Sequence, residues 1–139
     1  MSNRVKNIIA LVVGIVVCMA VNMGLVMLLG NLFPPPPGVN PQDINSIRAN
    51  LDQYSNMQIL MPFIAHFMGS LIGGLVAALI AGSRRLLWPL IVGLFHLLGG
   101  ISMIMMLPES PLWFKALDLI VAYIPAALLG GYLGGGRSL

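Results

Sequence analysis

The chain has 139 residues, of which 58% are hydrophobic and 8% charged, with a formal net charge of +3. A soluble domain carries about 25% charged residues. The composition, with a mean hydropathy of +0.95, therefore excludes a soluble fold and leaves these residues no room for a separate catalytic domain. One cysteine, Cys18, rules out a disulfide framework within the chain.

Four uncharged runs, residues 8–32, 59–82, 86–107 and 119–136, each reach the roughly 17–25 residues that cross a hydrocarbon core. In lipid a segment must satisfy its own backbone groups, so the runs are predicted helices. The expected fold is an all-α membrane protein, a single integral domain over residues 1–139. It is read as a four-transmembrane-helix bundle with spans at 5–32, 59–82, 86–107 and 117–136, and a short amphipathic helix in the loop 33–58.

The first span follows MSNRVKN. Its apolar run is longer than the roughly 7–15 residues of a signal-peptide core and lacks an A-x-A ending, so it is expected to stay in the protein. Ala10, Gly14, Cys18 and Asn22 recur every four residues and form a small or polar face. Next come Pro34, Pro35, Pro36, Pro37 and Gly38, a stiff polyproline spacer. In the following stretch Asn40 is suited to cap a helix, Pro41 to occupy its first position, and Asp43 follows three residues after the cap. Ile44, Ile47, Leu51 and Tyr54 then line one side. The stretch reads as an amphipathic helix on the interface or over the mouth of the bundle.

The second span carries two rows of small residues. Gly69, Gly73, Ala77 and Ala81 form one, and Ser70, Gly74, Ala78 and Gly82 form the other. Such rows let helix backbones approach closely in a bilayer. Ser83, Arg84 and Arg85 make a very short turn into the third span, so these two helices form an antiparallel hairpin. One small row is expected to face the third span and the other the fourth. The fourth span contains Pro125, which should kink it, and repeats the pattern with Ala126, Gly130 and Gly134 beside Ala127 and Gly131.

Arg4, Lys6, Arg84, Arg85 and Arg137 fall on one side of this scheme. Arg48 and Lys115 fall on the other with Asp43, Asp52, Glu109 and Asp118. The positive-inside rule places both termini in the cytoplasm. The charge is read as an orientation signal, with no nucleic-acid partner.

Ionisable residues inside a span are candidate functional groups. Counting ~1.5 Å per residue from the cytoplasmic ends puts His66, Ser102 and Asp118 at ~27 Å, and Asn22, His96 and Tyr123 at roughly 18–21 Å. The candidate polar or proton site is His66, His96, Asn22, Asp118, Tyr123 and Ser102, in two layers. His66 with Asp118 is placed at the mouth of a polar cavity leading to His96. The ~9 Å offset between the histidines argues against haem, and too few ligands gather for zinc. No cofactor or metal is expected, and the absence of a nucleophile triad, phosphate loop or CxxC pair argues against an enzyme.

The run of prolines ending in Gly38, the segment from Gly73 to Gly82, Pro111-Leu112-Trp113-Phe114 and the stretch from Pro125 to Gly131 together resemble a group of uncharacterised small four-span bacterial inner-membrane proteins. The resemblance implies fold and location and no activity. The leading expectation is a non-enzymatic accessory or scaffold subunit. It would pack through Gly69, Gly73, Ala77, Gly74, Gly130 and Gly134 with itself or a larger membrane complex. The alternative is a small-solute or proton-linked transporter or channel built on the intramembrane histidines, and a lipid or quinone binder is a third class.

Overall fold

The computed structural model describes residues 1–137 and 139. Among them the fold is entirely helical: α1 (Asn3–Leu32), α2 (Ile44–Ala49), α3 (Asn56–Ile80), α4 (Leu87–Met106), α5 (Leu112–Val121) and α6 (Ile124–Leu133). Four helical stretches are long and apolar enough to cross a membrane: α1, α3, α4 and the α5–α6 pair, Leu112–Leu133. The N-terminus lies beside the α3–α4 turn, where Asn3 meets Gly82, and the C-terminal glycines pack there on Leu86. This is the turn end of the bundle; residues 33–58 close the other, the loop end.

The fourth span starts at Leu112 rather than 117, because Pro111 sets an extended residue (φ −55°, ψ 140°) immediately before the first helical turn. It breaks at Tyr123, whose backbone (φ −108°, ψ −82°) is not helical, and restarts with Pro125 in the first turn of α6. The expected kink is therefore a full interruption. Gly135, at φ +85°, ends the chain's last helix in the left-handed conformation that glycine adopts without steric cost.

α3 is the central helix, but its rows do not face the partners expected. Gly69, Gly73 and Ala77 pack on α1. A Cβ on Gly73 would lie 2.6 Å from the Cys18 Cβ and 2.8 Å from the Gly14 carbonyl oxygen. Gly74 packs on α6, where an added Cβ would overlap the Ala127 carbonyl, and Gly130 returns the contact on the Leu71 carbonyl. Gly134 completes the seam against Ala78, 2.9 Å from an added Cβ. The row assigned to the third span thus belongs to the first. The tight turn makes α3 and α4 neighbours, but backbone-to-backbone approach goes to the helix that offers small residues in register. On α1 these are Ala10, Gly14 and Cys18, all buried. α4 instead meets α6 through Gly93, and Tyr123 through Gly100.

The turn end is tied by a residue that the sequence did not single out. Asn7 of α1 accepts hydrogen bonds from the Gly82 and Ser83 amides at 2.9 and 3.2 Å and donates to Ser83 Oγ at 2.9 Å. Trp88 Nε1 donates to the Ser83 carbonyl at 3.0 Å. At the loop end α2 begins later than expected. Asp43, not Asn40, is its cap, accepting from the Asn45 amide at 3.0 Å. Asn40 instead closes a local turn onto the Gln42 amide at 3.0 Å, which leaves Pro41 outside the helix. A 3-10 turn at Leu51–Gln53 follows, and Ser55 and Gln58 form a reciprocal capping box for α3.

Candidate functional site

The α5–α6 break delivers two polar side chains to the bundle interior. Asp118 lies one turn before it and is 1% exposed; Tyr123 sits at the break and is fully buried. The Tyr123 hydroxyl donates to Asp118 Oδ2 at 2.6 Å. The other carboxylate oxygen, Oδ1, lies 2.8 Å from Nδ1 of His66 on α3, and the Tyr123 oxygen is also 2.8 Å from that nitrogen. Two acceptors converge on Nδ1, since the tyrosine proton is already committed to Asp118. The set is satisfied when Nδ1 carries a hydrogen and donates. Gly100 permits this arrangement: any side chain there would occupy the Tyr123 hydroxyl position.

His96 adjoins this cluster. Its Nδ1 lies 2.8 Å from Ser70 Oγ and 3.2 Å from Cys18 Sγ. Its ring meets those of His66 and Tyr123 edge to face, with centroids 5.6 and 5.1 Å apart. The two layers counted from the sequence are therefore one cluster. The count places Cα atoms along straight helices, whereas imidazole and phenol rings reach several ångströms from them and close the offset. Two candidates fall outside. Ser102 donates to the Leu98 carbonyl of its own helix at 2.9 Å and is exposed. Asn22 stands next to the Gly69 contact, and its Oδ1 is buried without a partner. Ser70 and Cys18 were legible as small residues on the correct faces, but nothing in their spacing marked them as partners of His96. Among the described residues no group of three or more His, Cys, Asp or Glu side chains is arranged to hold a metal.

His66 and Asp118 form the floor of a cavity of about 350 Å³ at the loop end. Its walls are Val26 of α1, Phe33 just after that helix, Met61 of α3, Met103 and Ile104 of α4, and Phe114 of α5. Ile47, Leu51 and Tyr54 roof it, so the stripe read from the loop is used inward. Burial raises the Tyr54 phenol above its ordinary pKa, so this phenol is neutral where it meets the cavity. The cavity is largely apolar, not polar as expected, and it stops at the His66–Asp118 floor; His96 lies behind that floor. Below it, the Gly73–Cys18 and Gly74–Ala127 contacts leave no space for a side chain.

The fold and site together define a class: a four-helix membrane-type bundle with a roofed apolar cavity that ends on a buried histidine–carboxylate pair. In comparisons with known proteins, no family model, curated protein or solved structure matches the chain.

Proposed function

We propose that the chain is a non-enzymatic, multi-pass protein of the bacterial inner membrane that binds a small, mostly apolar molecule beneath the residue 44–54 roof. The observation that carries this reading is the cavity itself: about 350 Å³, mostly apolar walls, and the His66–Asp118 pair converging at its floor. Ligand sites commonly have that design, in which apolar walls supply affinity and a few polar atoms fix orientation. The cytoplasmic placement of both termini rests on Arg4, Lys6, Arg84, Arg85 and Arg137, all at the turn end, by the positive-inside rule. An accessory role through helix packing has less support than the small rows alone suggest, because both rows of α3 are used within the chain.

The test is extraction in native lipid nanodiscs followed by solvent extraction and mass spectrometry. Wild-type protein should carry one enriched small molecule per chain. Ile104→Trp, which fills the cavity, should lose it while keeping its helical circular dichroism. A wild-type protein with no enrichment over empty nanodiscs, and no saturable binding of an added apolar probe, overturns the reading.

Proton-linked transport is a second reading, favoured by one observation. Contacts continue from His66 by a hydrogen bond to Tyr123, by an edge-to-face ring contact to His96, and from the His96 Nδ1 to Cys18 on α1. It requires the packed glycine seams to part, and proteoliposome flux that survives both His66→Ala and His96→Ala would refute it.

A further inference from the structure

The geometry points to a quinoid headgroup as the occupant of the cavity, held through Nε2 of His66; this rests on the binding reading above and names its ligand. Nδ1 of His66 is committed to Asp118 and Tyr123, and among the described residues no group hydrogen-bonds Nε2. Nor is Nε2 walled in: Asn22 Oδ1 is the buried unpartnered side-chain atom found among the described residues. Because His66 lines the cavity, Nε2 is the ring position left for a ligand. A carboxylate that fixes one imidazole nitrogen also fixes the orientation of the other.

Charge narrows the ligand class. Among the described residues no lysine or arginine lines the cavity, and Arg48 on the roof pairs with Glu109 at 3.3 Å. A carboxylate or phosphate ligand would therefore bring a second negative charge beside Asp118, and a protonated His66 could balance only one of the two, at high cost in a desolvated site. An organic cation is disfavoured for a different reason. Both Asp118 oxygens already accept hydrogen bonds, and the imidazole stands as the open polar group at the floor. The remaining class is neutral.

Nε2 accepts a hydrogen bond when bare and donates one when protonated, and in both cases Nδ1 stays turned to Asp118. A quinone carbonyl needs the donor and a quinol hydroxyl needs the acceptor, so one nitrogen serves both forms of the same molecule. Phe33, Tyr54 and Phe114 supply aromatic surface, and Met61 and Met103 supply thioethers; both pack favourably on a flat ring. The volume suits a ring with its first substituents, which leaves a long apolar tail outside. The site binds both forms, and electrons are exchanged elsewhere.

The experiment uses the full chain in lipid nanodiscs, labelled with ¹⁵N-histidine. There are two histidines, so His96→Gln assigns the spectrum. The probes are decyl-benzoquinone and its quinol, with decanoate and decyl-trimethylammonium as anionic and cationic controls. Both quinoid forms should bind saturably, displace the co-purified molecule and shift His66 Nε2. His66→Gln and Asp118→Asn should weaken binding about tenfold or more, the scale of losing a hydrogen bond to a charged or polarised group. Ser102→Ala, outside the cavity, should leave it unchanged. The shift in wild-type protein stands as evidence even if a floor variant fails to fold. If a molecule co-purifies but the quinoid probes neither displace it nor move Nε2, the quinoid assignment is overturned and the cavity reading stands. Tighter binding of decanoate or the ammonium probe overturns it likewise. If nothing co-purifies and no probe saturates, both fall.

Discussion

Nδ1 of His66 and Oδ1 of Asp118, 52 positions apart in the chain, meet at 2.8 Å with the carboxylate almost wholly shielded from solvent. Breaking a buried pair from one side leaves the other group uncompensated, at a cost of about 3–5 kcal/mol. His66→Ala should therefore destabilise the fold on the order of 3 kcal/mol. The double variant His66→Ala/Asp118→Asn should cost less than the sum of the singles, by about 1–3 kcal/mol. Unfolding in mixed micelles by SDS titration, followed by helical circular dichroism, measures the cycle. Strict additivity would show that the two groups are not coupled.

The glycines divide sharply by what surrounds them. An added Cβ on Gly74 or Gly130 would strike backbone carbonyls of the facing helix, whereas at Gly30 and Gly99 it would meet nothing within 4 Å. Gly74→Ala and Gly130→Ala should each cost about 1–3 kcal/mol or more, because helix backbones cannot give way as a flexible side-chain tip can. Gly30→Ala and Gly99→Ala should be neutral or stabilising by up to about 1 kcal/mol, since alanine is the better helix former. Folded yield and thermal unfolding of the four variants check this. Equal behaviour of all four would contradict the packing described.

Asn7 fixes the turn end with three hydrogen bonds to Gly82 and Ser83, next to Arg84 in the left-handed conformation at φ 48°. Asn7→Ala leaves two amides of the turn without that acceptor. The expected loss is about 1–3 kcal/mol, and Asn7→Asp, which keeps the acceptor, should recover most of it. A thermal unfolding series reads both; a wild-type-like Asn7→Ala would show that water replaces these bonds freely.

What could be read from the chain, and what could not, follows from the range of the forces involved. Hydropathy over some twenty residues is a local property, so the four spans and the inward face of Ala10, Gly14 and Cys18 were legible. Pro125 marked the break in the fourth span for the same reason, since a missing amide acts within one helical turn. The partner of each small row was not legible: Gly73 carries no sign that it meets Cys18 rather than α4, because that choice depends on register between distant helices. Ser102 and Ser70 look alike in sequence, yet one bonds its own helix and the other His96. The cap of α2 was misplaced because Asn40 and Asp43 are both competent, and the next turn decides between them. The sequence pointed to a cavity at His66 and Asp118 and to its roof, but to a polar one. Its apolar character arises from side chains of four helices that no single stretch displays.

The roof is held more lightly than the helices beneath it. Arg48 pairs with Glu109 through Nε at 3.3 Å and also donates to the Met106 carbonyl at the end of α4. Both charged side chains are substantially exposed, at 41% and 53%, so the ion pair alone is worth about 0–1 kcal/mol. Glu109→Gln should therefore leave global unfolding unchanged. Arg48→Ala also removes the anchor on Met106, and it should raise amide exchange across residues 44–54 more than Glu109→Gln does. Gln58 donates to the Pro34 carbonyl at 2.6 Å and tethers the proline segment independently, so residues 33–36 should keep their wild-type accessibility in both variants, as read by cysteine labelling at the proline positions. Hydrogen exchange in nanodiscs checks the ordering wild type, Glu109→Gln, Arg48→Ala at the roof. Exchange that rises equally throughout α3 and α4 would mean that these contacts hold the bundle itself rather than the cover of its cavity.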